Sequence, residues 1–179
     1  MIKWNNFYGA IFIDRDYQSS KKFIAEEMLD KQYQYFHPSI FSLPIQEYPY
    51  YYDNILLTFG RTAKNFVENG YELQKFIYEF EDILSNLDFR NAQVNIDSNY
   101  AIYNLFWINR QKLQKRHQSD NLNTTLKYFK ENEIRIFETE KFYFGLGEID
   151  LFTGWVEEKY NSEKLIDFDL QYPSFKYHI

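Results

Sequence analysis

The side chains able to do chemistry are few and widely spaced. Three histidines, His37, His117 and His178, stand apart, and none lies at a ligand spacing from another histidine or from a pair of carboxylates. A helical His-x-x-x-His metal site is therefore ruled out. There are no cysteines, which removes a thiolate nucleophile, a thiolate metal site and a disulfide framework together. No Gly-x-Ser-x-Gly elbow is present to expose a nucleophilic serine. Gly145-Leu146-Gly147 lacks the third glycine of a dinucleotide fingerprint and the lysine of a phosphate loop, and it falls between two strand-like segments. A β-bulge is the reading that fits it.

Two acidic pairs remain. Asp14-Arg15-Asp16 and Asp167-Phe168-Asp169 each put two carboxylates on one side of an extended segment, because side chains two apart share a strand face. Such pairs can hold Mg²⁺ through one carboxylate and waters, which makes a metal-dependent hydrolase using Asp14, Asp16, Asp167 and Asp169 the enzymatic alternative. No third ligand can be assigned, so the pairs read as solvated strand ends. No catalytic residue, metal or cofactor is expected.

Charge layout carries more information. Residues 101–130 hold 6 basic side chains and 1 acidic one, whereas residues 131–179 hold 5 and 11. The basic run Arg110 to His117 reads as a solvated helix, since one short patch in a chain of net charge −6 and isoelectric point near 5.1 is not the footprint of a nucleic-acid binder. The acidic carboxyl-terminal third places Glu138, Glu140, Glu148, Asp150, Glu157 and Glu158 among Tyr143, Phe152, Trp155 and Tyr160. A face of that make-up attracts basic proteins and steers their encounter. Aromatic residues make up 21% of the chain, and rigid rings left on a surface anchor contacts at low entropic cost.

The elements that must position these groups follow from periodicity. Gly9 to Ile13 reads as a buried strand closed by Asp14-Arg15-Asp16, and a helix follows, capped by Ser19 or Ser20, with Phe23, Ile24, Met28 and Leu29 inward. Pro44 and Pro49 make the first half of Ile40 to Phe59 an edge strand or loop, and Tyr51 to Phe59 a buried strand ended by Gly60. The clearest helix is Tyr71 to Leu87, where Leu73, Phe76, Ile77, Phe80, Ile83, Leu84 and Leu87 recur every three or four positions. Asn69 and Glu72 form its capping box, and a helical piece from about Thr62 leads into it. Phe89 to Ile96 is a strand, with Asp97-Ser98-Asn99 as its turn; Tyr100 to Ile108 fits strand or helix; Arg110 to Gln118 is helical. After a polar linker and a short helix to Lys130, strands are expected over Glu133 to Glu138, Lys141 to Leu146, Glu148 to Thr153 and Leu165 to Leu170, with Gly145, Gly147 and Gly154 at bulges or turns. Helices mixed with strands early and strands clustered late predict one α+β domain over residues 1–179, a largely antiparallel sheet packed against a few amphipathic helices.

No secretory signal or spanning segment is visible, and with no cysteine this predicts a cytoplasmic protein. In size, acidity, aromatic surplus and lack of a catalytic constellation, the chain resembles the immunity proteins of bacterial contact-dependent growth inhibition and other polymorphic toxin systems. Its most distinctive stretches are Asn6-Phe7-Tyr8-Gly9 and Gly145-Leu146-Gly147 through Trp155. The likeness is one of type over the whole chain, and no residue's role carries over from it. It implies a bacterial inhibitor whose partner is a cognate protein toxin, basic and often a nuclease, with no nucleic acid or membrane bound. Occlusion of the toxin's active site by Glu138, Glu140, Tyr143, Glu148, Asp150, Trp155, Glu157 and Glu158 is the expected mode, with Tyr143 and Trp155 as anchors. A phage-encoded anti-defence inhibitor would share the same features.

Overall fold

A seven-stranded antiparallel sheet in the order β2-β3-β1-β4-β5-β7-β6 organises the chain. The structure, a computed structural model, describes residues 4–43, 55–64, 70–97, 101–112 and 135–150. The strands are β1 (Trp4–Ile13), β2 (Phe41–Ser42), β3 (Ile55–Lys64), β4 (Phe89–Asp97), β5 (Ala101–Asn109), β6 (Arg135–Glu138) and β7 (Phe142–Asp150). Among the described residues two α-helices, α1 (Tyr17–Lys22) and α2 (Gly70–Ser85), accompany the sheet in an α+β fold.

Over β1 the sheet buries one side. On β1 the residues Asn5, Phe7, Ile11 and Ile13 are buried while Asn6, Tyr8 and Phe12 are exposed, the alternation that a two-residue side-chain period imposes on a half-covered strand. Helix α2 supplies the cover. Leu73, Phe76, Ile77, Phe80, Ile83 and Leu84 are all fully buried, so the stripe predicted from their spacing is the face that meets the sheet. The core between them is aromatic: Trp107 of β5 meets Phe80 edge-on at 4.7 Å, and Phe36 lies tilted against Phe76 at 4.9 Å. Offset and edge-to-face rings of this kind add about 0.5–1.5 kcal/mol per pair beyond their burial.

Carboxylates on α2 fasten the loop that completes this core. Glu79 is 5% exposed, and its two oxygens accept from the backbone N–H groups of Gln34 and Tyr35, each at 3.0 Å. Burial raises its pKa, and the two backbone bonds and Lys75 work against that rise. Asp82 accepts from the Tyr33 hydroxyl at 2.6 Å and from Lys31 at 3.2 Å. The Tyr33 phenol is held protonated, first by burial and then by this bond and the charge of Asp82. Tyr35 and Phe36 are thereby set into the core.

Several local expectations change. The first helix is capped by Asp16, whose side chain accepts from Ser19 N–H at 2.9 Å, and it begins at Tyr17, ahead of the serines expected to cap it. Ser20 instead bridges, donating to Asp16 O at 2.8 Å and accepting from Asp88 N at 3.1 Å. Past Lys22 the helix widens into a π turn (Phe23–Glu27) and then tightens into a 3-10 turn (Met28–Lys31). That change of pitch keeps Phe23, Ile24 and Met28 buried and leaves Leu29 exposed. Strand β3 does not stop at Gly60. Thr62 to Lys64, expected to open a helix, pair with Asn6 to Trp4, a case of tertiary pairing overriding local preference. Tyr100 to Ile108, open between helix and strand, is strand from Ala101 onward, within β5.

The glycines of β7 also differ from expectation. One strand runs from Phe142 to Asp150, and Gly145 and Gly147 sit in uninterrupted register opposite Phe106 and Asn104. Gly145 is there because the Phe106 ring lies over it, and a Cβ would collide with that ring. The irregularity lies elsewhere, between Phe12 and Ile13 against β4. The Asn69 cap, Ser98-Asn99, the helix beyond Lys112, Gly154 and Leu165 to Leu170 lie outside the described residues.

Candidate interaction surface

The outward side of the sheet is built row by row from strand register. Tyr8 of β1 stands between Gly60 of β3 and Asn95 of β4, followed by Asn104 of β5. One row on, Ala10 stands between Thr58 and Gln93, with Phe106 beyond. The next row holds Leu56, Phe12, Asn91 and Ile108. In the other direction Asn6 lies between Thr62 and Asp97, and its side-chain oxygen accepts from the Thr62 hydroxyl at 2.8 Å. Lys64 lies over the Trp4 ring at 4.8 Å.

Two properties distinguish this face. Trp4 and Tyr8 are each 55% exposed, Phe12 and Leu56 each 42%, and the three β1 rings recur every four residues, about 13 Å apart along the strand. In the three rows from Tyr8 to Phe12, no position of β3, β1, β4 or β5 carries a charge, although 26% of the chain is charged. Charges stand at its rim, at Lys64, Asp97 and Glu138. Scattered apolar side chains on a surface are ordinary; exposed rings aligned along one strand and bordered by three rows without charge mark a contact site.

The acidic residues named from sequence are dispersed in what is described. Glu138 and Tyr143 face each other in the β6–β7 ladder. Glu138 pairs with Arg110 at 2.7 Å, and Tyr143 is buried with the Arg110 guanidinium 5.8 Å from its ring centre. Glu140 is exposed in the turn between β6 and β7. Glu148 and Asp150 lie further along β7, opposite Tyr103 and Ala101, at positions of the other parity from Tyr143. Trp155, Glu157 and Glu158 lie outside the described residues.

Asp14, Asp16 and His37 have other employment, and Asp167, Asp169, His117 and His178 lie outside the described residues. Asp14 bonds Lys112 at 3.2 Å, and Asp16 is the α1 cap. Lys112 also pairs with Asp88, whose second oxygen accepts from the backbone N–H groups of Arg15 and Asp16 at 2.9 and 2.8 Å. Desolvation would raise the Asp88 pKa, yet these donors win and bring it down to about 2. His37 accepts from Ser39 N–H through Nδ1 at 3.1 Å and caps a 3-10 turn. Among the described residues no group of three or more histidines and carboxylates is placed to hold a metal ion. No helix there is long and apolar enough to cross a membrane.

A cleft of about 830 Å³ opens between α2 and the β6–β7 turn, lined among others by Tyr78, Glu81, Asp82, Arg110, Glu138 and Lys141. Its charges are largely matched: Arg110 holds Glu138 and donates to Thr139 O at 2.9 Å, Asp82 holds Lys31, and Glu81 accepts from Trp107 Nε1 at 2.8 Å.

The β1 row escaped the sequence reading, which placed its anchors in the carboxyl-terminal third. The signal was present. Trp4, Tyr8 and Phe12 share one parity, and Phe7, Ile11 and Ile13 hold the other. No family model, no curated protein and no solved structure matches the chain.

Proposed function

We propose that this protein is a binding inhibitor that works by covering the working surface of a protein partner, a bacterial toxin domain of the kind that immunity proteins neutralise. The observation that carries the reading is the outer face of β3, β1, β4 and β5, uncharged in the rows from Tyr8 to Phe12, with Tyr8 and Phe12 standing out of it and Trp4 at its rim. Protein interfaces have that anatomy: a centre depleted of charge and enriched in aromatic rings, with a polar rim. A few buried rings supply most of the binding energy in such contacts.

Occlusion asks no chemistry of the inhibitor. It asks for a rigid platform, and α2 with its aromatic core provides one behind the face. The net charge of −6 favours encounter with a basic partner, and Glu138, Glu140, Glu148, Asp150, Glu157 and Glu158 contribute to that charge.

The test is coexpression with the product of the adjacent reading frame, which the reading expects to be a toxin domain. Wild type protects growth and forms a complex, while the W4A/Y8A double variant, still folded, loses about 1,000-fold in affinity. Absence of any complex with wild type contradicts the reading.

A further inference from the structure

Strand β3 is 10 residues long and pairs along its whole length with β1, but on its other side β2 meets only Phe59 and Thr58. The cause is local. The chain enters β2 from the turn Pro38–Ile40, where the N–H of Ile40 is already given to His37 O at 3.1 Å. Proline has no N–H to donate to a ladder. The segment Gly60 to Lys64 is thus left with an edge that has no backbone partner among the described residues, and Gly60, Arg61, Thr62 and Lys64 are exposed.

An open edge is a template for another chain, and its charges say which kind. Arg61 reaches the Tyr35 carbonyl at 3.5 Å, and Lys64 lies over Trp4. Among the described residues neither has a carboxylate within ion-pair distance. Pairing of this edge with itself in a second copy would set the two Arg61 side chains on neighbouring diagonals, and like charges on adjacent strands repel. A strand carrying carboxylates turns the same two cations into attraction.

We propose that the edge Gly60 to Lys64 receives an extended segment of the partner, with carboxylates beside Arg61 and Lys64 and an apolar side chain above Gly60 against the Tyr8 ring. This rests on the outer face being the interface, which the edge borders directly, since Gly60 pairs with Tyr8 and Lys64 with Trp4. Main-chain bonds then give the segment its register, and the rings of β1 receive the rest of the partner.

The probe is a pair of synthetic eight-residue peptides with one β-branched framework, one bearing two glutamates and the other two lysines. Each is titrated against the full chain and followed by calorimetry and amide hydrogen exchange. The glutamate peptide binds roughly tenfold tighter, because like charges at the edge disfavour the other, and it slows exchange at amides within residues 60–64. The R61E/K64E variant reverses the preference. Equal binding of both peptides, protection elsewhere, or an unchanged preference in R61E/K64E overturns the proposal. If W4A/Y8A abolishes toxin binding while R61E/K64E leaves it unchanged, the edge is wrong and the face stands. If the peptide occupies the edge but no toxin complex forms, the inhibitor reading alone fails.

Discussion

Tyr8 stands directly opposite Gly60 in the β1–β3 ladder, and with no side chain on Gly60 its ring remains 55% exposed. An inward position would have made the ring part of the core, and a larger neighbour would have screened it. Trp4→Ala and Tyr8→Ala are therefore expected to change folding stability by less than about 1 kcal/mol each, because exposed positions contribute little. Binding to the partner should fall by about 2 kcal/mol or more for each. Denaturant unfolding alongside titration separates the two effects, and a large loss of stability in either variant would move that ring from contact to core.

Gly145 and Phe106 are a matched pair on the same face. Gly145→Ala should destabilise the protein by about 1–3 kcal/mol, since the ring must leave a well-packed position. Combining it with Phe106→Ala should recover part of that loss. A double-mutant cycle measures the coupling; additive effects would show that the ring is not what requires glycine.

Asp88 makes the fold sensitive to acid. Its folded pKa of about 2 lies below the ordinary value of 3.8, so its contribution is complete above about pH 4 and is lost as pH falls through about 2. Because the side chain is about one third exposed, solvent screening limits the contribution to about 1–2 kcal/mol. Asp88→Asn should be less stable than wild type at pH 7 and equal to it near pH 2. A difference that persists unchanged to pH 2 would mean the charge is not responsible.

Glu79 behaves in the opposite sense. Burial raises its folded pKa, so the ionised form costs stability at neutral pH and that cost is relieved as pH falls through the folded value. The carboxylate is retained because it satisfies two backbone donors at once. Glu79→Gln is expected to lose about 1–3 kcal/mol despite removing the charge, since its amide nitrogen cannot accept and leaves one N–H unpaired. Faster exchange at Gln34 and Tyr35 amides in the variant checks this.

The acidic carboxyl-terminal third should act through rate. Reversing Glu148, Asp150 and Glu157 together is expected to slow association with a basic partner several-fold at low salt, with the difference closing as salt rises. Stopped-flow measurement at two ionic strengths distinguishes this from loss of a contact, which would raise the dissociation rate instead.

Legibility in the sequence followed the strength of local pattern. Leu73 to Leu84 announced α2 and its buried face because six apolar positions keep one helical period. Thr62 to Lys64 could not announce a strand, since only their pairing with Trp4 to Asn6 makes one. Gly145 looked like a bulge because a glycine between strand-like segments carries no sign of the ring that covers it from Phe106. The candidate face was written in the parity of Trp4, Tyr8 and Phe12, yet charge drew attention to the acidic third. Rings spaced four apart declare themselves as a surface only once strand register sets uncharged neighbours on both sides of Tyr8 and Phe12.

Radical footprinting of the complex tests the central claim most directly. Oxidation of Trp4, Tyr8 and Phe12 should slow several-fold when the partner is bound, while Tyr78, at the cleft beside α2, keeps its free rate. Protection of Tyr78 with Trp4, Tyr8 and Phe12 reacting as in the free protein would contradict the account.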